Sequence, residues 1–546
     1  MWKLFLAFVL VPFLACAQRE SKAPSYADTL LGSLSPYRAS YDVGHYDIQV
    51  QIEPRKQVLS GQVRCRFTWQ GGPDTLQIDL EERLRVEALY VDGQKVRYVR
   101  VPNTRAIWVA IPMSKTWEHG STHTWEVRYG GKPRSAPMPP WDGGLIWSKT
   151  PQGEPWIGVA CQGLGASVWW PLKDHLSDEP DSIQLTICVP PPLRAVANGQ
   201  YAGTKLQGKD SCFTYRVTYP INTYNITFYA APGYVILQDT FHSLSGKVLN
   251  LNFTLLPEHV EKGFPYMASE TRKVLRAMEH YFGPFAPQRD GYGLVESPYY
   301  GMEHQSAIAY GNAFRKDPEW EMDYIILHET GHEWWGNHVT VADNADLWVQ
   351  EGFCTYSEAL FIEYYRGYDE AVRYLSAQKT QISNRRPIQG PKGINYDQTR
   401  NTDIYYKAAW MLHTLRSIVN EDAKWFRLLR ALQDSFSFRV TSTEEVIAFI
   451  SRQLGGDYEP FFRAYLYEAR PPVLQYGIEI QNGKKHLKVR CITSAEGFDY
   501  PVEFLVDGKV IRYAVGTAWR RYGLPPETKE VRPNGRRYYF LVSRAE

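Results

Sequence analysis

The chain has 546 residues, 44% apolar and 22% charged, with a formal net charge of +2. That length exceeds what one core organises, so two to four domains are expected. The near-zero charge argues against a nucleic-acid partner, and the 14% aromatic content favours abundant β-structure.

The first element is a targeting segment. "MWKLFLAFVLVPFLACAQ" has an early Lys3 and then an apolar run from Leu4 to Ala15 that ends in small residues. The run is too short for a membrane span and reads as a signal peptide over residues 1–17. Two processing routes fit it. Ala15-Cys16-Ala17 forms an A-x-A site releasing the chain at Gln18, or Cys16 is lipidated as in bacterial lipoproteins. Phe13 stands where such lipoboxes usually carry Leu, which favours simple cleavage. Both routes export the protein to the periplasm or beyond, the second adding a lipid anchor. No later run reaches about 18 apolar residues, so no transmembrane span is expected.

Residues 18–40 are polar and aperiodic and read as a tail or linker. From 41 to 243, "HYDIQVQIE", "VRCRFTW", "DTLQIDL" and "AIWVAIP" alternate at period two between turn residues, as half-buried strands do. Near Pro257 the period becomes helical, with a stop at Gly283-Pro284, and helical texture dominates 244–469. Pro471-Pro472 then precede renewed alternation, so 470–546 reads as a short β-domain. Its mildly basic balance, 13 Lys and Arg against 8 Asp and Glu from Pro471 onward, reads as a solvated surface. The predicted class is multidomain α+β: an N-terminal β-sandwich-like domain, a mainly helical domain and a small C-terminal β-domain.

Seven cysteines without a C-x-x-C pair form neither a disulfide framework nor a thiolate metal site. One bridge, Cys188 to Cys212, is compatible with the spacing, and buried free thiols are expected for most of the others.

The chemistry concentrates in "EMDYIILHETGHEWWGN", read as one buried helix. His328 and His332, four apart, share a face and reach one ion. Glu329 is rotated about 100 degrees from His328, beside the metal rather than on it, where a general base belongs. H-E-x-x-H alone also arises by chance, and a third ligand sharpens it. "ADLWVQEGFCTYSEALFIEYY" reads as the next helix, beginning near Asp346. Glu351 follows His332 by 19 residues and completes a His-His-Glu set, while Glu358, seven further on, shares its face. Glu358 is placed to take a hydrogen bond from a ligand imidazole. Three protein ligands leave a fourth position open, the mark of a catalytic zinc, one per chain, rather than a structural one.

H-E-x-x-H followed by 18 residues and Glu resembles the gluzincin aminopeptidases, the aminopeptidase N and leukotriene-epoxide hydrolase family. "HEWWGN", "LWVQEGF", "YYGMEHQ" and "DIYYKAAWML" resemble further motifs of that family, and the order of β-domain, helical domain and β-domain also fits it. The resemblance implies a thermolysin-like catalytic domain acting on peptide substrates. It implies that Glu303, within Gly301-Met302-Glu303, binds the substrate's free α-amine, and that Tyr405 steadies the oxyanion. It implies more loosely that Gln162, in "VACQGLG", contacts substrate. Tyr300 stands where the family has Gly, His304 where it has Asn and Ala408 where it has Gly; Tyr300 and His304 are expected to reshape the amine end of the cleft. The expected activity is zinc-dependent removal of N-terminal residues from peptides. A zinc endopeptidase or epoxide hydrolase on the same site, and a non-catalytic scaffold, are the alternatives. Nothing in the pattern sets an oligomeric state.

Overall fold

The computed structural model describes residues 23–396, 398 and 401–545. The export segment at 1–17, including Cys16, lies outside the described residues. Among them, no helix is long and apolar enough to cross a membrane.

The N-terminal unit is β-rich. Its largest sheet has eight strands, with Tyr41–Glu53 near the middle, antiparallel to Val58–Trp69 and parallel to Ser182–Val189. A four-stranded and a three-stranded sheet pack with it around one core that includes Ile48, Val63, Trp125, Trp169 and Trp170. The period-two alternation of Tyr41–Glu53 turns Tyr46, Ile48, Val50 and Ile52 into that core. Cys188 and Cys212 are paired across adjacent strands and form a disulfide. The other described cysteines are free and buried.

Residues 18–40 do not form the expected featureless tail where they are described. Tyr26–Gly32 and Pro36–Ala39 are short helices, the first closed by a capping box between Ser25 and Asp28. Their anchor is Arg38, which is fully buried. It pairs with Asp79 at 2.6 Å and donates to the carbonyls of Leu30, Leu31 and Ser33. Polar composition concealed this because the residue that docks the segment is itself charged.

Val235–His242 pairs along its length with Val248–Leu255, so the division expected at 243/244 falls inside a hairpin. These strands open a five-stranded sheet that ends in the short edge strand Gly301–Met302. Helix Val260–Phe282, stopped at Gly283, packs on this sheet with helix Tyr324–Gly331; helix Trp348–Arg366 packs on both of these helices, and helix Tyr406–Val419 packs on Trp348–Arg366. Two small C-terminal sheets, containing Val473–Gln481, Lys484–Ile492, Asp499–Val506 and Lys509–Gly516, complete the chain. Their apolar faces, through Leu474, Tyr476, Phe504 and Val515, join the same core as the helices.

Candidate functional site

The site helix is shorter than the 17-residue run expected from sequence. It begins after Asp323, whose carboxylate accepts from Ile325 and Ile326, and ends at Gly331 with His332 as its C-cap. The chain then turns so that the Trp335 carbonyl meets His332 Nδ1 at 2.8 Å. In a continuing helix that carbonyl would serve a backbone N–H instead. Helix Trp348–Arg366 packs against the site helix and brings in Glu351 and Glu358. It crosses helix Tyr406–Val419 closely. A Cβ at Gly352 would lie 2.6 Å from that of Ala408.

His328, His332 and Glu351 converge. Their buried side chains bring the two Nε2 atoms to 3.2 Å from each other, and Glu351 Oε2 lies 3.7 and 3.3 Å from them. Each imidazole has its other nitrogen engaged: Nδ1 of His328 with Glu358 Oε1 at 2.7 Å, and Nδ1 of His332 with the Trp335 carbonyl. Those partners leave both Nε2 lone pairs facing the shared point. Glu351 Oε2 is buried and has no hydrogen-bond partner, although buried carboxylates ordinarily do. Two outward-fixed imidazoles and an orphaned carboxylate oxygen form a donor set that fits zinc. Glu303, His332 and Glu351 also offer ligand atoms within 4.8 Å of one another, as do His328, His332 and Cys354. Sequence reasoning passed over Cys354. Its Sγ lies 3.8 Å from His328 Nδ1, the nitrogen already held by Glu358, and donates to the His328 carbonyl.

Around this point stand the remaining expected residues. Tyr405, at the N-cap of its helix, donates to Glu351 Oε1 at 3.0 Å. Gln162, from the N-terminal unit, donates to Glu351 Oε1 at 3.0 Å and to Glu303 Oε1 at 2.9 Å. Tyr224, which no sequence motif flagged, donates to Glu303 Oε1 at 3.1 Å. Gly301 and Met302 form the edge strand before Glu303, and a Cβ at Gly301 would fall 2.5 Å from Glu329 Oε1. The glycine makes room for that carboxylate. Burial pushes the Glu329 carboxyl up to about 8, and the charges of Glu303 and Glu351 add to the effect. Burial also raises Glu303, with Glu351 adding and His332 opposing.

The two departures at the amine end behave differently. Tyr300 is 43% exposed. His304 is fully buried with Nδ1 bonded to the Tyr229 hydroxyl at 2.8 Å, so its extra bulk is spent on packing with the N-terminal unit. A cavity adjoins the site, lined by Gln162, Tyr224, Leu347, Leu31, Gly32 and Asn395.

This donor set defines a candidate zinc centre. Residues 266–465 match the peptidase family M1 domain. It is 27% identical to aminopeptidase B of Rattus norvegicus over 187 residues, 31% of this chain and 28% of that protein. It is 22% identical to leucyl aminopeptidase of Saccharolobus solfataricus over 383 residues, covering 65% and 47%. The chain thus spans half or less of the length of these two curated relatives. Among solved structures, an M1 zinc metallopeptidase from Deinococcus radiodurans superposes with a TM-score of 0.66 at 24% identity, covering 80% of this chain and 96% of that one. Legionella pneumophila aminopeptidase A in complex with aspartic acid gives 0.74 at 16%, covering 92% and 60%. Both share the fold.

Proposed function

We propose that the protein is a zinc-dependent aminopeptidase that releases N-terminal residues from peptides. One observation carries this reading: Gln162 joins the carboxylates of Glu303 and Glu351, so an acidic side chain suited to an α-ammonium group stands beside the proposed metal ligand. His328, His332 and Glu351 would hold the zinc. When bound, zinc acts as a Lewis acid that acidifies water and polarises a carbonyl. Glu303, supported by Gln162 and Tyr224, pairs with the free amine and sets the register at one residue. Glu329 takes the proton of the attacking water and returns it to the leaving amine. The Tyr405 hydroxyl, released from Glu351, donates to the oxygen where negative charge develops. Gly301 and Met302 form the edge strand that leads into Glu303, and Gly301 leaves room for Glu329.

Export through the 1–17 segment, with release at Gln18 or lipidation of Cys16, belongs to the same proposal. The Cys188–Cys212 disulfide supports it, because such bonds persist in oxidising compartments.

The test compares aminoacyl and N-acetyl-aminoacyl peptides of one sequence. Free-amine substrates should be cleaved, and Glu303→Ala should cut kcat/KM on them by about two to three decades, below the 3–5 kcal/mol of a fully desolvated pair because the cleft stays partly wet. Zinc content should stay unchanged. Equal cleavage of blocked and free peptides would make the protein an endopeptidase.

A further inference from the structure

Glu358 is fully buried, and each of its oxygens has its own partners. Oε1 faces His328 Nδ1 at 2.7 Å. Oε2 receives the Tyr374 hydroxyl at 2.5 Å and the Gln378 amide at 3.0 Å. Tyr374 and Gln378 stand four apart on helix Tyr368–Gln378 and so share one face. That helix is pinned in turn by the C-terminal unit. Asp369 pairs with Arg536 at 2.5 Å, and Lys379, just past the helix end, donates to the Gly535 carbonyl at 2.9 Å.

We propose that Tyr374 and Gln378 are positioning residues for the metal centre, acting through Glu358 on His328. This rests on the zinc reading above. A buried carboxylate with one oxygen unsatisfied turns toward whatever donor it finds, since an unpaired buried polar atom costs about 1–3 kcal/mol. Two donors on Oε2 stop that rotation and hold Oε1 where it accepts a hydrogen bond from His328 Nδ1–H. His328 then keeps one tautomer and one tilt, with Nε2 unprotonated toward His332 and Glu351. The alternative partner for Nδ1 is already in place: the Cys354 thiol lies 3.8 Å away. Without the clamp, the ring loses a strong orienting partner and retains a weak one.

The experiment measures zinc affinity of the full purified chain by chelator competition, with apo-protein melting recorded alongside. Tyr374→Phe and Gln378→Met should each weaken zinc severalfold and their combination at least about tenfold, within the range for outer-shell partners. Apo melting should change little in Tyr374→Phe, where the Gln378 amide still serves Oε2, and should fall in the double variant, which leaves that oxygen without a donor. Against a Glu358→Gln background, Tyr374→Phe should have no further effect, since both act along one line. Wild-type affinity in the double variant would overturn the proposal, as would a Tyr374→Phe effect of full size in the Glu358→Gln background. If the double variant does not fold, the Tyr374→Phe single and its cycle with Glu358→Gln decide alone. Glu351→Gln separates the two readings: if it leaves zinc affinity intact the ligand assignment has failed, whereas loss of zinc there without any effect of Tyr374→Phe refutes the positioning role only.

Discussion

Glu329 and Glu351 are both buried glutamates beside the same two histidines, and their environments assign them different work. Glu351 points an unpartnered oxygen at both Nε2 atoms, while Glu329 sits against Gly301 with its carboxyl pushed up to about 8 by burial. Replacing each by Gln separates them. Glu351→Gln should lose zinc and turnover together. Glu329→Gln should keep zinc and lose turnover on the order of a thousandfold, as for a general base. Metal analysis by mass spectrometry with peptide kinetics checks both; zinc loss in Glu329→Gln would make that residue a ligand. These residues were legible in sequence because helical spacing fixes which side chains share a face. Tyr224 and Cys354 were not. Tyr224 lies in a short 3-10 turn of the β-unit and reaches Glu303 across 79 positions of chain, a distance that no local pattern reports.

At the scale of elements, the period-two and helical textures marked the three regions well, because each buries one face against a neighbour. They failed at 18–40, where docking depends on one ion pair rather than on an apolar stripe. Arg38 ties three carbonyls of the preceding helix region to Asp79 of the β-unit, and that helix also reaches across to Asn395, whose N–H donates to the Asp28 carbonyl. Arg38→Ala should therefore destabilise the protein by about 3–5 kcal/mol, the cost of leaving a buried charge alone. Urea denaturation measures the loss, and hydrogen exchange should show amides of Tyr26–Gly32 opening first. A loss below about 1 kcal/mol would mean that Asp79 is otherwise satisfied and the pair is not the anchor.

Across the whole molecule, stability carries a pH signature from Glu179. Its Oε1 is enclosed without a partner, and burial, with Asp178 adding, raises its carboxyl to about 8. The folded state therefore holds this proton more tightly than the unfolded state. The group's contribution is fully present below the ordinary carboxyl range and is lost as pH rises toward 8. Glu179→Gln should be close to neutral at pH ~4 and more stable than wild type by about 2 kcal/mol at pH ~8.5, a figure reduced for the side chain's partial exposure. Denaturation midpoints at the two values test it, and a constant difference would clear Glu179. The Gln162 amide has a different kind of consequence. It travels with the β-unit yet completes the carboxylate cradle of the helical one. A transplant of residues 266–465 onto a foreign scaffold would carry the proposed ligands and base and still be missing a hand from outside. The carboxylate cradle thus depends on the docked pair, and swapping or respacing either half puts it at risk even when both halves fold.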